Sequence, residues 1–490
     1  MVIQNTTKKF YDRRQELRLL RNKFNNLNRG EFGVVYGRRR TGKSELLRQF
    51  YSKITSSQEK LFITVTSSSR NDFMGTISNK IKECFGEVVK INGWSDFFDY
   101  LLEKSKSKKV LLIIDEFQRI NNFAQDFYFS LQDYWDSKIK YSKFMILICG
   151  SSMSMMHRIA MEEHGPLYGR KTFEMHLKPF RYVDFREMFR DFSEEEKIKI
   201  FAVFGGTPKY LDDFKYGKHT GYLEAYKSIV LIPNSALFEE PLNALKFELK
   251  NPERYISILK AISDGKEETP EIAKSIGVGN NSLPPYLKVL DSLLDIIESS
   301  DPLFGKGRRK RYKIKDNFFR FWYRFVYPYR EYIEIGKMEI LIDKINRDFD
   351  TYCGKIFEDI VEGFFISMNG KKIKNKKLDF ERIGKWWEEG EDIDLVLDCR
   401  NEVIFIEIKF KDKEMGFEQY NDLVEKSKKT SASGRFSYFL VSKKGFKEDL
   451  IKNKPADLTL LSLEDMKDIW DKESDETIVS QESLTNYFGF

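Results

Sequence analysis

The chain has 490 residues, more than one hydrophobic core usually serves, so roughly two to four domains are expected. Lysine and arginine outnumber acidic residues 83 to 76, a net charge of +7 that permits nucleic acid or another acidic partner without requiring one. The cysteines lie far apart and there is no signal segment or apolar run of about 18 residues, which argues against disulfides, structural zinc and a membrane partner and predicts a cytoplasmic protein.

Residues 37–44 form a complete G-x-x-x-x-G-K-[ST] phosphate loop between an apolar strand at 32–36 and a helix from Glu45 onward. Backbone N–H groups of such a loop line an anion site, where Lys43 would reach the β- and γ-phosphates and Ser44 would ligate Mg²⁺. A basic surface turn can match this pattern by accident, but the flanking strand and helix favour ATP binding. The predicted nucleotide contacts are Gly37, Arg38, Arg39, Arg40, Thr41, Gly42, Lys43 and Ser44.

The apolar run 110–114 ends in Asp115 and Glu116, as expected for a buried parallel strand whose carboxyl end faces a ligand. We expect Asp115 to hold Mg²⁺ through water and Glu116 to act as general base. The alternative, that both acids only cap a following helix, is disfavoured by the phosphate loop upstream. A strand candidate at 61–66 predicts that the two motif strands are not neighbours in the sheet. That order resembles the additional-strand, catalytic-glutamate class of P-loop ATPases.

A fourth apolar strand, 144–150, ends at Ser151. In AAA+-type sites, which this one resembles, that position carries the polar residue that senses the γ-phosphate, so Ser151 and Ser152 are candidates, with Ser151 the predicted nucleotide contact. Arg170 follows a turn at 165–169. It is either an arginine finger that stabilises charge on the transferred phosphoryl group or one surface arginine among many. A finger acting in trans would require a homo-oligomer.

These motifs resemble one family over nearly the whole chain: the P-loop ATPases, found mainly in archaea and sporadically in bacteria, that carry a C-terminal nuclease-like domain. The resemblance also rests on residues 10–17, 166–170 and 205–211. It implies that the segment around Arg14 to Leu17 lies near the adenine. It further implies that the Gly-Gly-x-Pro segment lies in a helical lid that responds to nucleotide.

Residues 251–315 have the pattern of a winged helix-turn-helix. Helical periodicity at 255–262 precedes a capped short helix at 269–277 and a candidate recognition helix at about 281–294. Two strands, 295–298 and 311–314, flank a basic tip. The residues predicted to contact nucleic acid there are Lys306, Arg308, Arg309, Lys310 and Arg311. The alternative is a winged helix that makes only protein contacts.

The stretch 318–325 combines aromatic and basic residues, which permits stacking on nucleic-acid bases. At helical spacing, however, such a stripe is more often core against a neighbouring domain, and we favour that interpretation. A nucleic-acid contact is therefore not assigned to this stretch.

Two alternating strands, 392–397 and 403–409, are joined by a turn. A hairpin symmetric about its centre places Asp394 across from Glu407, with Lys409 on the same face. Two facing carboxylates can chelate Mg²⁺ or Mn²⁺, and a lysine beside them can orient or deprotonate water. This matches the PD-(D/E)xK nuclease pattern.

Glu358, on a predicted helix, matches the extra acidic residue of many such nucleases. One departure is that Ile393 stands where the pattern usually has proline. The alternative is an ordinary solvated hairpin face. Because facing carboxylates repel without a cation, a metal ion or Lys409 is expected to compensate them.

We therefore predict a multidomain α/β protein with an ATPase core of the AAA+-like class and a restriction-endonuclease-like C-terminal domain. The predicted boundaries are 1–180 for the ATPase core, 181–250 for the helical lid, 251–335 for the winged helix and aromatic linker helix, and 336–490 for the nuclease-like domain. The predicted function is ATP hydrolysis linked to metal-dependent cleavage of nucleic acid, with DNA as the expected substrate. The alternative is a nucleotide-gated signalling or regulatory switch whose last domain does not cleave.

Overall fold

The computed structural model describes residues 13–233, 235–305 and 310–473. It begins with an α/β part built on a parallel sheet. The strands of this part are β1 (Glu31–Tyr36), β2 (Glu59–Thr64), β3 (Val110–Asp115), β4 (Phe144–Gly150) and β5 (Phe173–His176). Its helices are α1 (Arg14–Asn25), α2 (Lys43–Lys53), α3 (Arg70–Phe85), α4 (Trp94–Ser107), α5 (Asp126–Ser137) and α6 (Met153–Ala160).

The order of strands in this sheet is β2-β3-β4-β1-β5, and every pairing is parallel. β4 separates the two motif strands β1 and β3, so the prediction that they are not neighbours is confirmed. All residues of β3 and β4 are buried, because hydrophobic clusters cover both faces of the sheet. The carboxyl ends of β1, β3 and β4 therefore bring the phosphate loop, Asp115 and Ser151 to one edge.

The middle of the chain is mainly helical. Its helices are α7 (Tyr182–Arg186), α8 (Glu194–Phe204), α9 (Pro208–Tyr216), α10 (Tyr222–Ala225), α11 (Glu240–Glu248), α12 (Glu253–Ser263), α13 (Thr269–Ser275), α14 (Pro284–Lys288) and α15 (Asn317–Phe321), with strands β6 (Ile297–Ser300) and β7 (Arg311–Ile314). β6 and β7 form an antiparallel hairpin. β6 begins two residues after the predicted start because Asp295 has a left-handed backbone, with φ of 53°.

The last part is a mixed sheet behind a long helix. Its helices are α16 (Arg330–Glu334), α17 (Glu339–Ser367), α18 (Phe417–Lys429) and α19 (Glu448–Lys452), and its strands are β8 (Lys372–Ile373), β9 (Lys376–Lys377), β10 (Phe380–Glu388), β11 (Glu391–Cys399), β12 (Glu402–Lys409), β13 (Arg435–Ser442) and β14 (Leu458–Ser462). The main sheet has the order β10-β11-β12-β13-β14, antiparallel up to β12 and parallel from there. None of the described helices combines the length and apolar character needed to cross a membrane.

The register of the β11–β12 hairpin is the one predicted from its symmetry. Leu395 lies opposite Ile406, and Cys399 lies opposite Glu402. Asp394 and Glu407 are the next residues along the two strands. Because a slip of one residue would turn every side chain to the other face, this register decides that the two carboxylates share a face.

One hydrophobic core unites the parts that follow the first sheet. It runs from Phe180 to Trp470 and includes residues of the helical middle part and of the last sheet. The aromatic stretch 318–325 belongs to it: Phe318 and Trp322 are fully buried, and Trp322 Nε1 donates to the Phe238 carbonyl at 2.8 Å. The core interpretation of this stretch is confirmed, and base stacking there is wrong.

Tyr352 on α17 ties three helices together in this core. Its hydroxyl donates to the Ala202 carbonyl at 2.9 Å, with the Asn317 carbonyl at 3.2 Å. We expect Tyr352→Phe to lower the stability by about 1–3 kcal/mol, because buried carbonyl oxygens lose their donor. Calorimetry would show a lower melting temperature, whereas Tyr332→Phe, at a residue 43% exposed, should leave it unchanged. Equal melting temperatures for both variants would contradict this role.

Candidate functional site

The phosphate loop joins β1 to α2 in a conformation that requires glycine at positions 37 and 42. Gly42 has φ of 88°, and a Cβ at Gly37 would collide with the carbonyl oxygen of Leu177. Lys43 lies over the loop, where its Nζ donates to the carbonyls of Gly37 at 2.7 Å and Arg38 at 2.6 Å. Burial lowers the pKa of Lys43. The lysine is thus held at the place where phosphates of a nucleotide would compete for it.

A cavity of about 530 Å³ opens at this loop. It is lined by six of the predicted nucleotide contacts, which are Arg39, Arg40, Thr41, Gly42, Lys43 and Ser44, and also by Glu116 and Ser151. Asp115 is 3% exposed at the end of β3, behind this lining. The structure therefore brings the residues of the predicted ATP site together. Gly37 and Arg38 are the two predicted loop residues outside this lining, and the Arg38 side chain pairs with Asp316.

Glu116, the predicted general base, is held by two neutral donors. Its Oε2 accepts hydrogen bonds from Gln118 Nε2 at 2.9 Å and from Ser151 Oγ at 3.1 Å. Its backbone is left-handed, with φ of 57°, a strained conformation of the kind that functional sites retain. Sequence reasoning missed Gln118, which is 2% exposed, because no motif marks a glutamine two residues after the acid.

Two flanking segments close the cavity. Arg13, just before α1, stacks its guanidinium on the Phe180 ring at 4.7 Å and donates to the Lys178 carbonyl at 2.5 Å. Arg13, Phe180 and Met188 line the cavity. Pro208 and neighbouring residues of α9 also line the cavity, so the Gly-Gly-x-Pro segment borders the site. Its role as a lid that responds to nucleotide stays a prediction. Residues 10–12 lie outside the described residues.

Arg170 does not lie at this cavity. Its Nε and Nη2 contact Asp136 Oδ2 at 3.2 and 2.8 Å, and its Nη1 donates to the Tyr168 carbonyl. It is absent from the lining of the cavity. Arg170 therefore lies apart from the chain's own site, which fits the surface interpretation, and a finger acting in trans stays a prediction.

The three arginines of the phosphate loop each contact the middle part of the chain. Arg38 Nη1 lies 3.2 Å from Asp316 Oδ2, and Arg40 Nη2 lies 2.8 Å from Glu240 Oε2. Arg39 stacks on Phe247 at 4.7 Å. The loop that would hold phosphates is thus also a contact surface.

A second cluster of charges lies at the last sheet, where β11 and β12 meet. Asp394 Oδ2 accepts a hydrogen bond from the Ile408 N–H at 2.8 Å, and Lys409 Nζ lies 3.5 Å from the same oxygen. Lys409 also forms an ion pair with Glu407, which is 5% exposed. Burial and the nearby Asp394 raise the pKa of Glu407 to about 7. The predicted trio is therefore assembled.

Glu358 joins this cluster from α17 but is already paired. Lys385 Nζ on β10 lies 2.5 Å from Glu358 Oε2, and Lys355 Nζ lies 3.2 Å from Oε1. Burial opposes the charge of Glu358, yet these two lysines outweigh burial and lower its pKa. Burial and Glu358 in turn raise the pKa of Asp394. Lys385 was missed because no spacing rule links β10 to α17.

The ligand set for a metal ion at this cluster is incomplete. Within the described ranges, no group of three or more acidic, histidine or cysteine side chains is arranged to hold a metal ion. Asp394 and Glu407 fit a divalent cation because both carboxylates lie on one face of the β11–β12 hairpin and share Lys409. A third carboxylate ligand from Glu358 would require its release from Lys385.

The β6–β7 hairpin, the predicted nucleic-acid contact, packs against the last sheet. The Arg311 guanidinium stacks on the Trp387 ring at 4.7 Å, and the Leu303 N–H donates to the Lys385 carbonyl at 2.7 Å. Lys310 Nζ lies 3.8 Å from Asp301. Lys306, Arg308 and Arg309 lie outside the described residues. For Arg311 the structure favours the alternative of protein contact, because its side chain is already engaged.

Comparison with known proteins gives two family matches in the chain. Residues 10–214 match a family described as an ATPase domain predominantly from Archaea, and residues 322–423 match one described as archaeal and bacterial proteins of unknown function. Uncharacterized protein MJECL04 of Methanocaldococcus jannaschii is 32% identical over 463 residues, which are 93% of this chain and 99% of that protein. The chain belongs to the family of this archaeal protein.

Solved structures resemble the chain more weakly. The Walker-type ATPase PABY2304 of Pyrococcus abyssi is 21% identical and covers 64% of this chain and 95% of its own, with a TM-score of 0.49. The ORC2 protein of Aeropyrum pernix is 15% identical and covers 69% of this chain and 96% of its own, with a TM-score of 0.43.

The family match establishes an N-terminal ATPase domain, so ATP binding and hydrolysis belong to residues 10–214. The resemblance to archaeal P-loop ATPases is confirmed for this part. The matched family of the last part has no known function, so nuclease activity there stays a prediction.

We expect Lys43→Ala to reduce ATP hydrolysis by about 100-fold or more, because a buried cation aimed at the phosphates is lost. Phosphate release at saturating ATP measures this. Lys53→Ala is the matched control, since Lys53 is an exposed lysine at the other end of the same helix. Hydrolysis by Lys43→Ala at the rate of that control would show that the phosphate loop is not the ATP site.

Proposed function

We propose that the protein is a metal-dependent nuclease whose cleavage of nucleic acid, DNA in the first instance, is controlled by its ATPase domain. The observation that carries this proposal is the convergence of Asp394, Glu407 and Lys409 beside Glu358. Three separate elements contribute these side chains, and two of the carboxylates are less than 8% exposed. Buried carboxylates are costly to a fold unless a cation compensates them, which supports a functional reason for keeping them.

The chemistry would divide among the residues as follows. Asp394 and Glu407 would hold Mg²⁺ or Mn²⁺, which supplies Lewis-acid polarisation of a phosphodiester and a lower pKa for bound water. Lys409 contacts both carboxylates and would orient the water that attacks phosphorus. The Ile408 N–H fixes Asp394 through its hydrogen bond. Glu358 would join them only in a state in which Lys385 has moved.

Control by ATP is supported by a continuous path between the two sites. Asp316, the partner of Arg38, also caps α15 by accepting the Phe319 N–H at 3.1 Å. From the same helix, Arg320 Nη1 contacts Asp359 Oδ2 at 3.1 Å. Asp359 is the neighbour of Glu358 in α17. One short helix thus joins the phosphate loop to the carboxylate cluster.

A nucleotide-gated switch without cleavage is the second candidate. Two observations favour it. The β6–β7 hairpin contacts β10 at Lys385, and the side chain of Lys385 forms an ion pair with Glu358. In such a switch the charged cluster would bind nucleic acid or a protein partner but leave it intact.

We expect the wild type to cleave DNA with Mg²⁺ or Mn²⁺ and Asp394→Asn to lose at least about 100-fold of that rate, because a metal ligand is lost. Labelled duplex and single-stranded DNA and RNA, with and without ATP, would be resolved on denaturing gels. Asp398→Asn is the matched control, since it lies at the other end of β11 in a surface ion pair with Arg382. No cleavage of any substrate, with ATP hydrolysis intact, would favour the switch.

We expect Asp316→Asn to remove the effect of ATP on cleavage while ATP hydrolysis stays within about threefold of wild type, because asparagine keeps the helix cap but loses the ion pair with Arg38. The ratio of cleavage rates with and without ATP measures this. Asp264→Asn, which removes an exposed ion pair with Lys260, is the control. An unchanged ratio in Asp316→Asn would exclude this path.

A further inference from the structure

Two neighbouring loops leave the last sheet beside the carboxylate cluster. β12 and β13 are parallel, with Lys409 opposite Ser442, so their carboxyl ends lie at one edge about 4.8 Å apart. The loops at 410–416 and 443–447 start from these ends. Glu407 and Lys409 lie at the same edge.

The two loops form a single surface. The Met415 N–H donates to the Gly445 carbonyl at 3.1 Å, and the Lys447 N–H donates to the Met415 carbonyl at 2.9 Å. Four exposed lysines lie on this surface, which we name the lysine edge: Lys411, Lys413, Lys444 and Lys447. Because Lys411 is two residues beyond Lys409, the two Cα atoms lie within roughly 7 Å.

The charges of the lysine edge are not compensated by the fold. None of its four side chains forms an ion pair or hydrogen bond with the residues that the structure describes. The buried Lys443 nearby behaves differently, with partners at Glu195 and Asp412. Glu414 is the acidic residue of the two loops that has no such partner in the described part. A net positive surface therefore borders the cluster.

Described residues of two other basic segments are already engaged by the fold. Arg311 of the β6–β7 hairpin stacks on Trp387, and Lys310 lies near Asp301. In the β8–β9 hairpin, Lys374 and Lys376 are paired with Asp465 and Glu402. Unpaired lysines next to a phosphodiester-cleaving site are what a nucleic-acid backbone would require, since phosphates displace only solvent and counterions there.

We propose that the lysine edge binds the sugar–phosphate backbone of a nucleic acid and positions it at the carboxylate cluster. This inference rests on the proposed nuclease function for the choice of ligand, but its binding step does not depend on cleavage. Lysine contacts with phosphate fix position and carry no sequence information, so binding at this edge is independent of base sequence.

Binding is measured in Asp394→Asn, so that no substrate is cleaved, by fluorescence anisotropy with labelled DNA over a range of salt concentrations. Lys411→Ala/Lys444→Ala is expected to weaken binding at least tenfold at moderate salt. The slope of log affinity against log salt should fall in magnitude by about two, one for each lost phosphate contact. Lys413→Ala/Lys447→Ala is a second variant with the same expectation, and unchanged melting temperatures verify folding.

The matched control is Lys372→Ala/Lys377→Ala, which removes two exposed lysines from the β8–β9 hairpin, beside the amino end of β12. Parent affinity and salt slope in both lysine-edge variants would overturn the inference, as would equal losses in the control or no DNA binding by the parent. If the edge variants lose binding while the wild type cleaves nothing, the edge stands and the nuclease proposal fails. If the wild type cleaves DNA and the edge variants cleave and bind it equally well, the nuclease proposal stands and the lysine-edge inference fails.

Discussion

The ion pair between Arg38 and Asp316 joins the phosphate loop to α15, alongside the contacts that Arg39 and Arg40 make with the middle part of the chain. Asp316 is almost completely buried, so its charge cannot be left without a partner: breaking a buried pair costs about 3–5 kcal/mol. Arg38 belongs to the phosphate loop. A ligand that displaces Arg38 would therefore also act on α15, because Asp316 caps that helix.

The carboxylate cluster is organised by the same limitation on buried charge. Glu358 is compensated within the protein by Lys385, whereas Asp394 and Glu407 share Lys409. One ammonium group between two carboxylates leaves a net negative charge, and burial together with the nearby Asp394 raises the pKa of Glu407. A divalent cation would balance what the fold leaves uncompensated. Asp394 and Glu407 can therefore accept a cation, whereas Glu358 is already compensated by Lys385.

Local patterns predicted much of this arrangement. Three features depend only on consecutive residues, so periodicity and turn symmetry are enough to predict them. These are the phosphate loop, the apolar strand ending at Asp115 and the symmetric β11–β12 hairpin. The contacts of Lys385 and Arg38 join elements far apart in the chain, and no local rule reports them. For Arg170 and Arg311 the structure favours the alternatives stated from the sequence, for a related reason. An arginine's partner decides its role, and neither Asp136 nor Trp387 is adjacent in sequence.

The core that runs from Phe180 to Trp470 has a consequence for how this protein can be divided or recombined. The first half of α17 packs against the middle part of the chain, as in the stacked rings of Tyr222 and Phe349 at 4.5 Å. A fragment that begins at α17 would expose this aromatic face to water and tend to aggregate. Exchange of the last sheet between relatives would likewise require matching replacements in α8 and α15. The C-terminal part is therefore expected to be inherited together with the helices it packs on, as one unit of descent.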